Sequence, residues 1–139
     1  MKTSARNQIK GVVHAVHDGA VNSEVLVDIG GGEHLAAVVT RESVAHLGLV
    51  PGRPVTALIK AFWPILVAGP MPKTSARNHL CGTVKTVKAG PVSTEVVLEL
   101  KGGAEFVTII TTGSETALDL KAGDQACALV KASHVILAV

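Results

Sequence analysis

Apolar residues along this chain alternate with polar ones, or cluster, in short runs closed by glycine and proline. Residues 9–16 (Ile-Lys-Gly-Val-Val-His-Ala-Val), 24–29 (Glu-Val-Leu-Val-Asp-Ile), 34–40 and 54–61 are each rich in Val, Ile and Leu. Partial period-two alternation of β-branched side chains between glycine breaks predicts strands. Gly30-Gly31-Gly32 and Gly102-Gly103 predict hairpin turns. Ser43-Val44-Ala45-His46-Leu47 and Ser114-Glu115-Thr116-Ala117-Leu118 interrupt the alternation. Each predicts a short helix with its serine as N-cap. Leu49-Val50-Pro51-Gly52 and Leu120-Lys121-Ala122-Gly123 then turn the chain into a last long strand.

The whole pattern is written twice. Lys2-Thr3-Ser4-Ala5-Arg6-Asn7 returns as Lys73-Thr74-Ser75-Ala76-Arg77-Asn78, and an offset of 71 holds without a gap to the end. Of 67 aligned positions, 26 are identical, so the halves are copies of one unit. The expected organisation is residues 1–68, a linker 69–72 (Gly-Pro-Met-Pro), and residues 73–139. Five short strands with one helical turn before the last predict an all-β fold. It consists of two tandem OB-like five-stranded barrels, each with one short helix. A unit of this size buries a small share of its surface, which favours fusion and self-association.

Composition narrows the function classes. Apolar residues are 47% of the 139, enough for a packed core. The apolar runs are broken well short of the roughly 18–20 residues that cross a bilayer, and residues 1–7 lack the apolar stretch of a secretory signal. A cytoplasmic protein with no membrane partner is expected. Net charge is +2 and aromatics are 2%, a poor basis for a nucleic-acid partner. Cys81 and Cys127 both lie in the second unit, opposite Lys10 and Thr56 of the first. A structural pair should recur in both units, so free thiols in a reducing compartment are expected.

The repeat also filters candidate chemistry, because a site carried by the unit should occur in both copies. No histidine recurs: His14, His17, His34 and His46 face Lys85, Lys88, Glu105 and Ala117, while His79 and His134 face Gln8 and Trp63. This argues against a cation site and against a histidine base. The polar residues that do recur are Lys2, Thr3, Ser4, Arg6, Asn7, Glu24, Thr40, Ser43 and Lys60, with their mates 71 positions on. Apart from the glutamates they are mostly hydrogen-bond donors. No nucleophile–base pair recurs, so no enzyme is expected. A donor-rich, acceptor-poor set suits a fully ionised oxyanion. Monohydrogen phosphate keeps a proton and calls for an acceptor; sulfate, molybdate and tungstate do not, and cavity size separates the larger two from sulfate.

Each element also has a plain structural role. Ser4–Asn7 is compatible with an exposed turn, and Lys60 or Lys131 with a strand lysine reaching solvent. Thr40 and Ser43 suit a strand end and a cap, and Glu24 and Glu95 suit partners for the cations. The segments 19–24 and 90–95 are turns by default.

Taken in order and twice over, Thr-Ser-Ala-Arg-Asn, Gly-(Ala/Pro)-Val-x-x-Glu-Val, Thr-x-x-Ser and a late Lys-Ala resemble the Mop, or TOBE, domain family. Two such domains in tandem are similar to the di-Mop molbindins. The resemblance implies an OB-type barrel, a homotrimer, and molybdate or tungstate bound between subunits for storage without catalysis. It implies anion ligands at Ser4, Ala5, Arg6, Thr40, Ser43, Lys60 and Ala61. The matching set is Ser75, Ala76, Arg77, Thr111, Ser114, Lys131 and Ala132. The alanines contribute main-chain N–H groups alone. It also implies anions on the trimer axis, for which Ala20, Val21, Asn22 and Ser23, with Pro91, Val92, Ser93 and Thr94, are the candidates. The rival readings are an OB-type nucleic-acid-binding module and a molybdate-responsive regulatory partner protein.

Overall fold

A computed structural model describes all residues, 1–139. The first half forms β1 (Asn7–Asp18), β2 (Asn22–Gly30), β3 (Glu33–Thr40), α1 (Arg41–Leu47), β4 (Pro54–Ile59) and β5 (Ile65–Ala68). The second forms β6 (Asn78–Ala89), β7 (Ser93–Leu100), β8 (Glu105–Thr111), α2 (Thr112–Leu118), β9 (Gln125–Val130) and β10 (Ile136–Ala138), with a 3-10 turn at Ala132–His134. The expected all-β architecture, two tandem five-stranded OB-like units with one short helix each, is present. The sheets run β10-β4-β1-β2-β3 and β5-β9-β6-β7-β8.

The last strand of each unit is exchanged. Ile65–Ala68 pairs antiparallel with Ala126–Leu129 of the second unit, and Ile136–Ala138 pairs with Thr56–Leu58 of the first. Each sheet is therefore completed by the other half of the sequence. The apolar interior follows suit, with one cluster of 23 buried residues drawn from both halves.

Several recurrent polar residues serve this junction. Asn7 is 1% exposed and Asn78 2%. The Asn7 amide donates to the Val107 carbonyl at 2.8 Å and accepts from the Val107 N–H at 2.7 Å. Asn78 does the same with Ala36, at 2.8 and 2.7 Å. Each amide thus acts as one more ladder residue for a β3 or β8 edge of the opposite unit. Above them, Arg6 pairs with Glu95 at 3.0 Å, and Arg77 pairs with Glu24.

Gly82 recurs from Gly11 because the strands close tightly there: a Cβ on Gly82 would lie 2.1 Å from the Glu99 carbonyl oxygen. Just beyond, both long strands carry a β-bulge, at 13–15 and 84–86. At the bulge His14 stacks on His34 with ring centroids 4.5 Å apart. Their mates, Lys85 and Glu105, form an ion pair instead, and the Glu105 hydrogen bond and charge raise the Lys85 pKa above its ordinary value. The two units therefore fill this position with different chemistry, and neither His14 nor His34 recurs.

Two expectations are corrected. The cysteines are not free: Cys81 and Cys127 are joined in a disulfide. They are direct register partners on β6 and β9, with Cα atoms 3.9 Å apart. Lys10 and Thr56 are the same register pair in the first unit. The repeat presents facing positions in both sheets, and only one sheet fills them with cysteine. Replacing Cys127 with serine is expected to lower stability by about 2–4 kcal/mol, through restored freedom of the unfolded chain. Chemical unfolding of the variant against the parent, with and without reductant, measures it.

The helices begin earlier than expected. Thr40 and Thr111 are the N-caps, and their hydroxyls accept from the Ser43 and Ser114 N–H groups at 3.1 Å. Ser43 and Ser114 sit inside the first turn. A threonine at a strand end already has the extended backbone a cap requires.

One buried hydroxyl has no partner, Thr108 Oγ1 on β8. Its mate in the first unit is Ala37. Thr108→Val keeps the shape and removes the unpaired group, so a gain of about 1 kcal/mol is expected. A lower unfolding midpoint would mean that the hydroxyl has a hydrogen-bond role.

Candidate anion-binding site

The residues singled out in the sequence fall into two groups per unit. Ser4, Ala5 and Arg6 precede β1, and Lys60 and Ala61 follow β4. The antiparallel pairing of β1 with β4, Asn7 opposite Ile59, brings these ends together. All five line one cleft of about 600 Å³, with Thr3, Phe62 and Trp63. In the second unit Thr74, Ser75, Ala76 and Lys131 line a cleft of about 210 Å³, with Trp63 and His134. The lysines lie just beyond strand ends rather than within the strand as expected. Lys60 follows Ile59, and Lys131 precedes the 3-10 turn. A strand interior would point alternate side chains inward; the turn leaves both ammonium groups exposed beside the Ser-Ala-Arg segment.

Thr40 and Ser43 do not join that cleft. They line a shallow depression with Glu42, His46 and Leu47. Thr111 and Ser114 line a larger, apolar cleft with Phe62, Ile65 and Ile109. Each threonine hydroxyl donates to its serine hydroxyl, at 2.9 and 2.8 Å. Within one chain Thr40 with Ser43, and Thr111 with Ser114, therefore line clefts separate from those of the two lysines.

Several predicted ligands are engaged already. The Ala5 N–H donates to Thr3 Oγ1 at 3.2 Å, and the Ala76 N–H to Thr74 Oγ1 at 3.1 Å. The guanidinium groups of Arg6 and Arg77 are turned to Glu95 and Glu24 across the unit junction. The recurrent glutamates are thus partners of the recurrent arginines. Ala61 is buried, and its carbonyl accepts from the Ile109 N–H at 2.8 Å. Ala132 is buried beside β3.

The loops proposed for an axial site are the β1–β2 and β6–β7 turns, at Ala20–Ser23 and Pro91–Thr94. The Gly19 N–H closes one on the Asn22 carbonyl and the Gly90 N–H the other on Ser93. Ser23 and Thr94 are buried: Ser23 donates to Asp18 at 2.6 Å, and Thr94 lies 3.2 Å from the Thr112 hydroxyl. Val21 and Val92 stand exposed at the tips. Ala20, Asn22, Pro91 and Ser93 are exposed as well.

Sequence reasoning overlooked Trp63, which lines both lysine clefts. It has no aromatic mate, so the recurrence filter passes over it. The signal was its position, three residues after Lys60, where the second unit has His134 three residues after Lys131.

Comparison with known proteins gives consistent results. The chain is 46% identical to the molybdenum-pterin-binding protein MopA of Rhodobacter capsulatus over 140 residues, covering all of this chain and 53% of that protein. It is 42% identical to the molybdenum transport protein ModE of Azotobacter vinelandii, covering all of this chain and 52% of that protein. The chain thus spans about half the length of the curated relatives it matches. Among solved structures, the cytoplasmic molybdate-binding protein ModG, in a form with molybdate bound, superimposes with a TM-score of 0.95 at 49% identity. That match covers 100% of this chain and 99% of ModG. The TOBE domain model matches residues 3–66 and again 74–137. With both repeats matched, the chain belongs to the TOBE-domain family.

Proposed function

We propose that this protein binds molybdate, and tungstate alike, at sites completed between copies of the chain, and that it serves as a cytoplasmic store of the anion. The observation that carries this reading is the division of one donor set into two half-sites per unit. Ser4, Lys60 and the main chain at Ala5, Arg6 and Ala61 form one half, and Thr40 with Ser43 forms the other. A dianion must exchange its hydration for several donors at once, and an open half-site supplies too few. Bringing the cleft of one copy against the threonine–serine half of another makes a full set. The same holds for Ser75, Ala76, Arg77, Lys131 and Ala132 with Thr111 and Ser114.

Exposed apolar residues beside these half-sites favour association. Phe62, Ile65 and Ile136 are each more than half exposed. A homotrimer, as the family resemblance implies, buries them and gives two sites per chain. The glutamate pairing of Arg6 and Arg77 leaves their main-chain N–H groups as the means of anion contact. The turns around Ala20–Ser23 and Pro91–Thr94 are the candidate axial sites, through main-chain groups, since Ser23 and Thr94 turn inward. In this reading the units are residues 1–68 and 73–139, joined by 69–72. The protein has no catalytic role. The full-length relatives include transcriptional regulators, but the aromatic and cationic surface of a nucleic-acid reader is sparse in this chain.

Lys60→Ala and Lys131→Ala are each expected to weaken molybdate binding at their own site by about 1.5–3 kcal/mol, the scale of a charge-assisted hydrogen bond. Equilibrium dialysis with sulfate in excess measures this. Unchanged affinity in both variants would remove the lysines from the site. Absence of micromolar binding in the parent protein would overturn the function itself.

A further inference from the structure

We infer that the Cys81–Cys127 disulfide is a redox-sensitive fastener of the second anion cleft, so that a dithiol reductant weakens anion binding there and spares the first cleft. This rests on the proposal above that both clefts bind molybdate. The two halves of the second cleft stand at the ends of two paired strands. Ser75 and Ala76 precede β6, Lys131 follows β9, and Asn78 lies opposite Val130 where those ends meet. Cys81 and Cys127 face each other in the same ladder, three residue pairs further in. At a strand rise of about 3.4 Å per residue, the bond lies about 10 Å from that end of the ladder. β9 also carries the exchanged strand β5, with Val67 opposite Cys127. The bond therefore secures the strand on which both Lys131 and the exchange depend. Leu80, Ala126 and Ala128 are buried in the core, so strand alternation turns Cys81 and Cys127 to the outer face, where they are half-buried. The first unit has the same ladder without the bond. Lys10 and Thr56 hold the matching register positions, and Asn7 faces Ile59 at the first cleft.

Cleavage follows ordinary thiol–disulfide exchange. A thiolate of an external dithiol attacks one sulfur and displaces the other as a thiolate, which takes up a proton. The second thiol of the reagent then resolves the mixed disulfide. Cys81 and Cys127 gain two electrons and two protons in all, and the reagent leaves as its own disulfide. In the cytoplasmic setting proposed above such reductants prevail, and a disulfide there is more often a sensor than a permanent fixture. With the bond cut, the ends of β6 and β9 are held by main-chain pairing and the Asn78 clamp. The Ser75–Arg77 segment and Lys131 gain freedom that an anion must remove on binding. Re-ordering one such side chain lowers affinity by roughly fivefold.

Lys60→Ala protein reports the second cleft and Lys131→Ala protein the first. Each is titrated with molybdate by equilibrium dialysis, oxidised and again after dithiothreitol treatment, with the reductant removed under anaerobic conditions and thiol titration confirming the state of both cysteines. Second-cleft affinity is expected to fall roughly fivefold on reduction and to recover on reoxidation, while first-cleft affinity stays the same. Cys81→Ser with Cys127→Ser should reproduce the reduced affinity and remove the response to dithiothreitol. Adding Lys10→Cys with Thr56→Cys to Lys131→Ala protein should transfer the response to the first cleft, which tests the fastener without removing the native bond. Equal second-cleft affinity in the two states, an equal loss at both clefts, or a bond that resists dithiothreitol in the folded protein overturns the inference and leaves molybdate binding intact. A parent that binds no molybdate overturns both proposals.

Discussion

Asn78→Ala is expected to destabilise the protein by about 4 kcal/mol, from two buried hydrogen bonds lost together. The Asn78 amide satisfies both main-chain groups of Ala36, and Ala36 is itself buried. Truncation leaves an N–H and a carbonyl in the interior without partners, and each unpaired group costs about 1–3 kcal/mol. Asn7→Ala should behave alike through Val107. Gln8→Ala is the control: it removes an exposed hydrogen bond to the Ala5 carbonyl and should change little. Urea unfolding of the three variants decides the matter. A loss under about 1 kcal/mol for both asparagines would mean that water replaces the amides and that the junction is looser than its geometry implies.

Saturating molybdate is expected to raise the unfolding temperature by about 15 °C. A ligand that binds only the folded protein, at a hundred times its dissociation constant, contributes about 2.7 kcal/mol per site. Two sites per chain give about 5 kcal/mol, and for a chain of this length each kcal/mol moves the midpoint by about 3–4 °C. If the sites lie between copies, the midpoint should also rise with protein concentration, because assembly and ligation then stabilise the same state. Calorimetry with molybdate and with an equal concentration of sulfate tests both points. A midpoint indifferent to molybdate would remove the sites from the folded assembly.

The proposed ligands and the fold's own fastenings draw on the same recurrent residues. Asn7 and Asn78 passed the repeat filter as readily as Ser4 and Lys60, yet they are buried clamps. Glu24 and Glu95 passed it and hold the arginines. Recurrence selects whatever the unit cannot do without, and a unit needs its junction as much as its site. Burial marks out the asparagine clamps alone: they lie inside, whereas Ser4, Thr40, Lys60 and their mates are exposed and the arginine–glutamate pairs are only partly covered.

The repeat, the strands, the hairpin turns and the position of each helix, to within a few residues, are legible in the linear chain. These depend on local alternation, on glycine and on capping side chains, all readable over short spans. Which side chains recur, and so the chemistry offered to an anion, is legible there too. Which elements and side chains become partners follows from the folded arrangement instead. The exchange of β5 and β10 is invisible locally, because a strand of four apolar residues pairs equally well with its own unit or its copy. The Cys81–Cys127 bond depends on register between strands 46 residues apart, and the repeat pointed away from it. The division of Thr40 and Ser43 from Ser4 and Lys60 depends on where two strand ends meet. The placing of Trp63 between two clefts follows from how the two units pack together, which its alignment with His134 in the repeat marks only by position.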